Sequence, residues 1–147
     1  MKDKIIDLLQ SGIKPNIELA LQLYKGMIDK KDVEFACILI ITADNGLMMF
    51  DTYLDSINYD RAISADIFQG FDDTIYLTIK NYDLRYKRIN EKALSRAGKI
   101  YYFEQDRIVK KGYFYIHKLT VNNKLNEHIT RDLEVEFKCI PFLNITT

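Results

Sequence analysis

The sequence predicts an α+β fold: an N-terminal pair of helices, then a mostly antiparallel β-sheet with one short helix. Three observations support this prediction. Apolar residues recur at helical spacing near the N-terminus, later segments alternate as strands do, and glycine and asparagine mark the turns. We expect residues 1–30 to form a helical hairpin appendage and residues 31–147 to form one α+β domain.

The N-terminal segment has the pattern of two helices. Residues 5–9 give one apolar face, and Gly12 can adopt the left-handed conformation that ends a helix. Pro15 and Asn16 are a start signal, and apolar residues recur at helical spacing from 17 to 28. This pair is either a packing element of the fold or a docking site for a partner.

Apolar and β-branched runs predict strands in the first half of the domain. The run 33–43 fits a buried strand, and a helix beginning at Asp32 is also compatible with it. Asn45-Gly46 is a turn signal between two such runs, which predicts a hairpin. The predicted strands are residues 33–42, 47–54, 62–68 and 74–80. The last of these alternates, as expected for a sheet with one face in water.

The second half predicts one short helix and three strands. Asn90 can cap a helix that runs to Ala97 and ends at Gly98. The predicted strands are residues 99–104, 112–121 and 133–140. We expect a polar linker between the first two and a turn at Asn122-Asn123. Pro141 ends pairing because it has no N–H to donate.

Charge and aromatic residues are concentrated in residues 80–124. This stretch holds 12 of the 21 basic residues and only four acids, although the whole chain has a formal net charge of zero. A basic stretch with tyrosines suits single-stranded nucleic acid, because bases stack on aromatic rings between cationic side chains. The candidate nucleic-acid contacts are Arg85, Lys87, Arg88, Lys110, Lys111, Tyr113 and Tyr115. By strand alternation, half of the aromatic side chains are expected in the core.

Catalytic chemistry has little support in the sequence. Glu136-Phe137-Lys138 has the Glu-x-Lys form of metal-dependent nucleases, with Asp106 as a candidate second acid, but any alternating strand produces this pattern. His117 and His128 are isolated, and no phosphate-binding loop occurs. We therefore expect no catalytic residues, no metal site and no cofactor.

Cysteine usage and hydropathy bear on location. Cys37 and Cys139 lie in apolar runs and are expected to be buried, reduced thiols. No apolar run approaches the roughly 20 residues that cross a bilayer, and acids interrupt the N-terminal segment where a signal peptide would be apolar. The expected location is cytoplasmic, or a virion if the protein is viral.

The last 90 or so residues resemble the N-terminal domain of phage distal tail proteins, which form a ring at the tip of a tail tube. The matching segments are residues 75–79, 93–102 and 112–116, and the closing strand 135–142 with its aromatic-x-Cys-x-Pro-Phe ending. That family usually begins with strands, whereas this chain begins with predicted helices. The resemblance implies a non-enzymatic structural role with protein partners, in a homo-oligomer or larger assembly. The alternative is a small nucleic-acid-binding protein that uses the basic stretch.

Overall fold

The computed structural model describes residues 1–28, 34–52, 63–85, 89–125, 127 and 129–142. Two helices precede a curled, mostly antiparallel sheet with a short third helix, so the predicted α+β fold is confirmed. The helices are α1 (Lys2–Gln10), α2 (Lys14–Ile28) and α3 (Glu91–Leu94). The strands are β1 (Ala36–Ile41), β2 (Leu47–Asp51), β3 (Ile63–Ser64), β4 (Asp66–Gln69), β5 (Thr74–Asp83), β6 (Gly98–Glu104), β7 (Arg107–Leu125) and β8 (Ile129–Pro141).

The strand order is β3-β2-β1-β6-β7-β8-β5-β4, with β2–β3 as the one parallel pair among the described strands. β3 and β4 are consecutive in the chain but stand at opposite ends of this order. The N–H of Ala65, between them, donates to the carbonyl of Asp51 over 2.6 Å. The sheet therefore curls until its two edges meet in residues 63–69.

The main core lies inside the curl. Leu94 of α3 is fully buried there among apolar side chains from all the longer strands. The strands contribute, among others, Ile38, Ile40, Phe50, Ile75, Leu77, Ile79, Ile100, Tyr102, Phe114, Leu133, Val135 and Phe137. Because successive strand residues point to opposite faces, the other half of each strand points outward.

Over β1, β2 and β6 the outward side chains are buried as well, and we call this part the covered face. α1 and α2 lie on it and bury Ile5, Ile6, Leu9, Ile17, Ala20, Leu21 and Tyr24. The strands contribute Cys37, Leu39, Ile41, Leu47, Met49, Tyr101 and Phe103. Burial on both faces explains why residues 36–41 form an unbroken apolar run, and they are a strand rather than a helix.

Two polar contacts fix the helices on the covered face. The Tyr101 hydroxyl donates to the carbonyl of Leu9 over 2.8 Å. The Tyr24 hydroxyl donates to the carboxylate of the fully buried Asp51. Burial raises the pKa of Tyr24 well above its ordinary value, and the nearby Cys37 and Asp51 add to this shift. Tyr24 therefore keeps its proton and donates a hydrogen bond to Asp51.

Several predicted turns and caps are present. Gly12 has a φ of 71° just beyond α1, and Asn45 has a φ of 66° in the turn between β1 and β2. The Asn90 side chain caps α3 by accepting a hydrogen bond from the N–H of Ala93 at 3.0 Å. α3 is shorter than predicted, since it ends at Leu94.

The predictions for the β7 region were wrong in two places. The expected polar linker is a tight turn at Gln105 and Asp106, and β7 already begins at Arg107. Asn122 and Asn123 are not a turn, because they pair with Asp132 and Arg131 of β8. The Asn123 side chain also accepts a hydrogen bond from Arg131 Nε at 2.6 Å. These cross-strand contacts keep Asn122 and Asn123 extended, so the β7–β8 hairpin continues past them to Leu125 and Ile129.

Candidate protein-binding surface

The outward side chains of β4, β5, β8 and β7 have no helix above them in the part of the chain that the structure describes. We call this surface the open face. Strand alternation places its residues there, since their neighbours in sequence point into the core. The open face comprises Phe68, Tyr76, Thr78, Tyr113, Tyr115, Lys118, Thr120, Glu134, Glu136, Lys138 and Ile140.

One end of the open face is aromatic and apolar. Tyr113 stands opposite Ile140 in the β7–β8 register, and Tyr115 stands opposite Lys138. Tyr113, Tyr115 and Ile140 are 53%, 47% and 54% exposed. Phe142 packs edge-on against the Tyr113 ring with centroids 4.9 Å apart, which fixes that ring's position. The result is a rigid aromatic patch in contact with water.

A second aromatic pair lies across the open face, on β4 and β5. Phe68 stands opposite Tyr76, and their rings stack with centroids 4.8 Å apart and planes 18° apart. Phe68 is 53% exposed. Offset stacking of this kind stabilises an aromatic pair by about 0.5–1.5 kcal/mol beyond area burial. Phe68 is thus held against the sheet although it faces solvent.

Glu136 lies at the centre of the open face and contacts two other polar side chains. His117 Nδ1 contacts its carboxylate, and the Tyr76 hydroxyl donates to it. The hydrogen bond with His117 is the main reason that the pKa of Glu136 is lowered, and Tyr76 contributes less. The pKa of Tyr76 is raised, chiefly by the same hydrogen bond to Glu136. A β-bulge between Ile116 and Lys118 brings His117 to this position.

Charged side chains around this centre are paired across strands. Lys138 Nζ donates to Thr74 Oγ1 at 2.8 Å and lies 3.7 Å from Asp73. Lys80 lies 3.8 Å from the Glu134 carboxylate. Asp132 accepts from the N–H of Asn81 at 2.9 Å, which is the main cause of its lowered pKa. Positive and negative groups therefore alternate around the aromatic patches.

Two shallow depressions accompany the open face. One of about 240 Å³ lies among Phe68, Tyr76, Lys118 and Glu136. Ligand pockets measure roughly 300–1,000 Å³, so this groove is small for a cofactor. The other, about 360 Å³, lies at the border with the covered face beside Tyr113. Lys99 is the one formally charged residue among those that line it.

The structure separates the predicted nucleic-acid contacts. Tyr113 and Tyr115 lie together on the open face, and Lys111 points to the same side of β7. Burial and the charge of Lys14 lower the pKa of Lys111. Lys110 points the other way, and its ammonium donates to the carbonyl of Asp72.

Arg85 lies in the turn just beyond the end of β5, which runs from Thr74 to Asp83. It is paired with Asp83 at 2.8 Å. Lys87 and Arg88 lie outside the described residues. Three of the predicted contacts, Lys111, Tyr113 and Tyr115, therefore share one surface, and Lys110 and Arg85 do not.

The residues of the nuclease-like pattern, Glu136 and Lys138 with Asp106 as the second acid, are not brought together either. Asp106 is in the β6–β7 turn, where it pairs with Lys25 of α2 at 2.7 Å. Glu136 lies beside Lys118, roughly 35 Å further along β7. The described residues contain no group of three His, Cys, Asp or Glu side chains arranged to hold a metal ion.

Cys37 and Cys139 are buried free thiols, as predicted. They lie on opposite faces of the sheet, and burial raises the pKa of Cys139 to about 11. His128 lies outside the described residues. In the part of the chain that the structure describes, no helix is both long and apolar enough to span a bilayer.

Phe68 and Tyr76 are not among the candidate binding residues that the sequence predicts. The alternation of residues 74–80 already places Tyr76 on the wet face of a strand. The pairing of β4 with β5 is what brings Phe68 against it, and no local pattern reveals that register.

No protein-family model matches the sequence, and comparisons with curated proteins and with solved structures give no match either.

Proposed function

We propose that this protein is a non-enzymatic assembly protein that acts through contacts with other protein chains, including further copies of itself. The open face is the observation that carries this proposal. The resemblance of the last 90 or so residues to phage distal tail proteins adds a setting, in which the chain would contact tail-tube or baseplate proteins. No cofactor enters the proposed role.

The composition of the open face suits protein recognition. Tyrosine and phenylalanine are enriched in the cores of protein–protein interfaces, where a few buried aromatic anchors supply most of the binding energy. Tyr113, Tyr115 and Phe68 are exposed here on a rigid sheet, so little conformational entropy is lost when a partner covers them. The paired charges around them would form a polar rim.

The polar groups of the open face favour binding over catalysis. The Glu136 carboxylate is hydrogen-bonded by His117 and Tyr76, and Lys138 is held by Thr74 and Asp73. A carboxylate engaged by two donors is a weak general base, because its pKa is lowered away from neutral pH. These contacts orient the polar side chains of the open face.

The distribution of charge supports contacts between copies. Residues 80–124 carry 12 bases and four acids, and the rest of the chain carries 9 bases and 17 acids. Complementary charge accelerates association and fixes relative orientation. We expect such contacts to weaken as salt screens them.

The test is the solution mass of the protein against concentration, at low and at moderate salt. We expect a mass above 17.3 kDa that rises with concentration and falls with salt. The double variant Tyr113→Ser, Tyr115→Ser should associate at least tenfold more weakly, since hot-spot aromatic residues contribute about 2 kcal/mol or more. Phe71→Ser is the matched control, because Phe71 is 93% exposed but lies outside the open face.

A strictly monomeric wild-type protein, at all concentrations and both salt levels, contradicts the homomeric form of this proposal. Equal weakening by Phe71→Ser and by the double variant would show that general surface hydrophobicity drives association. In that case the open face is not the binding surface.

A second candidate function, binding of single-stranded nucleic acid, rests on the common placement of Lys111, Tyr113 and Tyr115. Two stacking rings beside a cation match the way that single strands are bound. This candidate predicts binding of an oligonucleotide that weakens steeply with salt and is reduced by Lys111→Glu. An absence of binding at low salt would remove it.

A further inference from the structure

β7 extends well beyond the end of β6, its neighbour on one side of the sheet. β6 pairs with β7 only as far as Gly98 opposite Phe114, whereas β8 accompanies β7 to Leu125 opposite Ile129. Residues 115–125 therefore pair on the β8 side alone, and no other described residue forms a backbone hydrogen bond with them. This leaves a strand edge of roughly 35 Å. Every second residue along it directs its N–H and C=O away from β8.

The side chains of this edge form two rows. After the bulge, Lys118, Thr120, Asn122 and Lys124 point to the same side as the open face. Leu119, Val121, Asn123 and Leu125 point to the other side, in line with Leu133 and Val135 of β8. Leu125 is 88% exposed and Val121 is 39% exposed, so the apolar row extends out of the core into solvent. An exposed apolar row beside unpaired backbone groups is a template for another strand.

The edge also carries features that oppose indiscriminate pairing. Lysines and β-bulges are common protections of sheet edges, and this edge has Lys118, Lys124 and the bulge at His117. Like charges that stand directly opposite each other destabilise a strand pair. A partner strand must therefore avoid placing its own cations opposite these lysines.

We propose that residues 119–125 of β7 pair antiparallel with the same residues of a second copy, about a two-fold axis at Asn122. The proposal rests on the proposed function and names the partner and the contact. It adds one strand pair to the assembly without using the aromatic side chains of the open face. Because the axis is perpendicular to the sheet, the open faces of the two copies lie on the same side.

The side chains favour this register over those centred on Val121 and Thr120. With the axis at Asn122, Leu119 stands opposite Leu125 of the second copy, and this pair occurs twice. Thr120 then stands opposite Lys124, and Asn122 stands opposite itself. With the axis at Val121, Lys118 would stand opposite Lys124 twice, which charge repulsion disfavours. With the axis at Thr120, the position opposite Leu125 lies beyond the bulge at His117, which interrupts the regular pairing.

Disulfide crosslinking tests the register directly. Antiparallel partners have Cα atoms about 4.5–5.5 Å apart, within the range that a disulfide spans. Asn122→Cys should therefore form a covalent dimer on mild oxidation, whereas Thr120→Cys should not, since its copies would lie about 13 Å apart. Cys37 and Cys139 are buried and do not compete. The Tyr113→Ser, Tyr115→Ser background weakens open-face association, so crosslinking that persists in it reports on the edge.

A control cysteine on the open face separates the possible outcomes. Thr78→Cys lies on β5, away from the β7 edge. Efficient crosslinking of Asn122→Cys, with little at Thr120 or Thr78, supports the proposal. Stronger crosslinking at either control position overturns it. If the mass shows association but no edge cysteine crosslinks, the edge contact is absent and the assembly function still stands. If the wild type does not associate, the homomeric function fails with it.

A second variant needs no oxidation. Leu125→Ser removes the apolar contact that the register makes twice, and we expect the dimer dissociation constant to rise on the order of tenfold. The fold should be unaffected, because Leu125 is largely exposed in the single chain. An unchanged dissociation constant would contradict the Leu119–Leu125 contact.

Discussion

The covered face and the open face belong to the outward side of one curled sheet, yet they differ in what lies above them. Over β1, β2 and β6, the helices bury Cys37, Leu39 and Tyr101, and the strand sequences read as continuous apolar runs. Over β5 and β8 the outward residues are threonine, tyrosine and charged side chains, and they alternate along each strand with buried apolar residues. The covered face is buried by helices of the same chain, whereas the open face exposes aromatic side chains to solvent. Binding to another chain is therefore expected at the open face, and stability is expected to depend on the covered face.

The largest expected effect is on the covered face. Leu21 of α2 is 1% exposed, and Leu21→Ala should lower the free energy of unfolding by about 2–5 kcal/mol, through lost burial and the cavity left behind. Urea denaturation measures this loss. Leu19→Ala on the same helix is the control, since Leu19 is 40% exposed and its loss should cost less than about 1 kcal/mol. Similar losses in both variants would mean that α2 does not pack as described.

A smaller effect is expected from the polar contact under α2. Tyr24→Phe removes the hydroxyl that donates to the buried Asp51, and should destabilise the fold by roughly 1–3 kcal/mol. Tyr115→Phe removes a hydroxyl from the open face, and its stability should stay within about 0.5 kcal/mol of wild type. Thermal and urea unfolding of both variants would give the difference. An unchanged Tyr24→Phe protein would show that the contact adds nothing to the docking of α2.

The sequence predicted the fold class and most elements because their signals are local. Helical spacing, the Asn45-Gly46 turn and the Asn90 cap each depend on neighbouring residues. The length of β7 was missed, because Asn122 and Asn123 are common turn residues and only pairing with β8 keeps them extended. The open face could be predicted in part, through the alternation of residues 74–80.

The side chains of the open face are brought together by the register of β5 and β7 against β8. Tyr76, His117 and Glu136 meet because β5 and β7 both pair with β8, and because a bulge moves His117 by one position. Single-strand patterns contain no information on either point. The burial of Tyr101 and Phe103 was likewise set by the helices that lie above them, about ninety residues away in sequence.

The smallest expected effect concerns acid stability at the centre of the open face. The pKa of Glu136 is lower in the folded protein than in an unfolded chain, chiefly because of His117. The folded state thus holds this proton less tightly, so the stabilisation is complete above the unfolded-state pKa of about 4.3 and is lost as the pH falls through the folded value. We expect the difference in melting temperature between wild type and Glu136→Gln to shrink as the pH falls below about 4.3. Glu127→Gln, at the end of the β7–β8 hairpin, controls for the loss of one charge. If the difference between wild type and Glu136→Gln stayed constant down to pH 3, the contact with His117 would not favour the charged carboxylate. The polar centre of the open face would then add no acid-sensitive stability to the sheet.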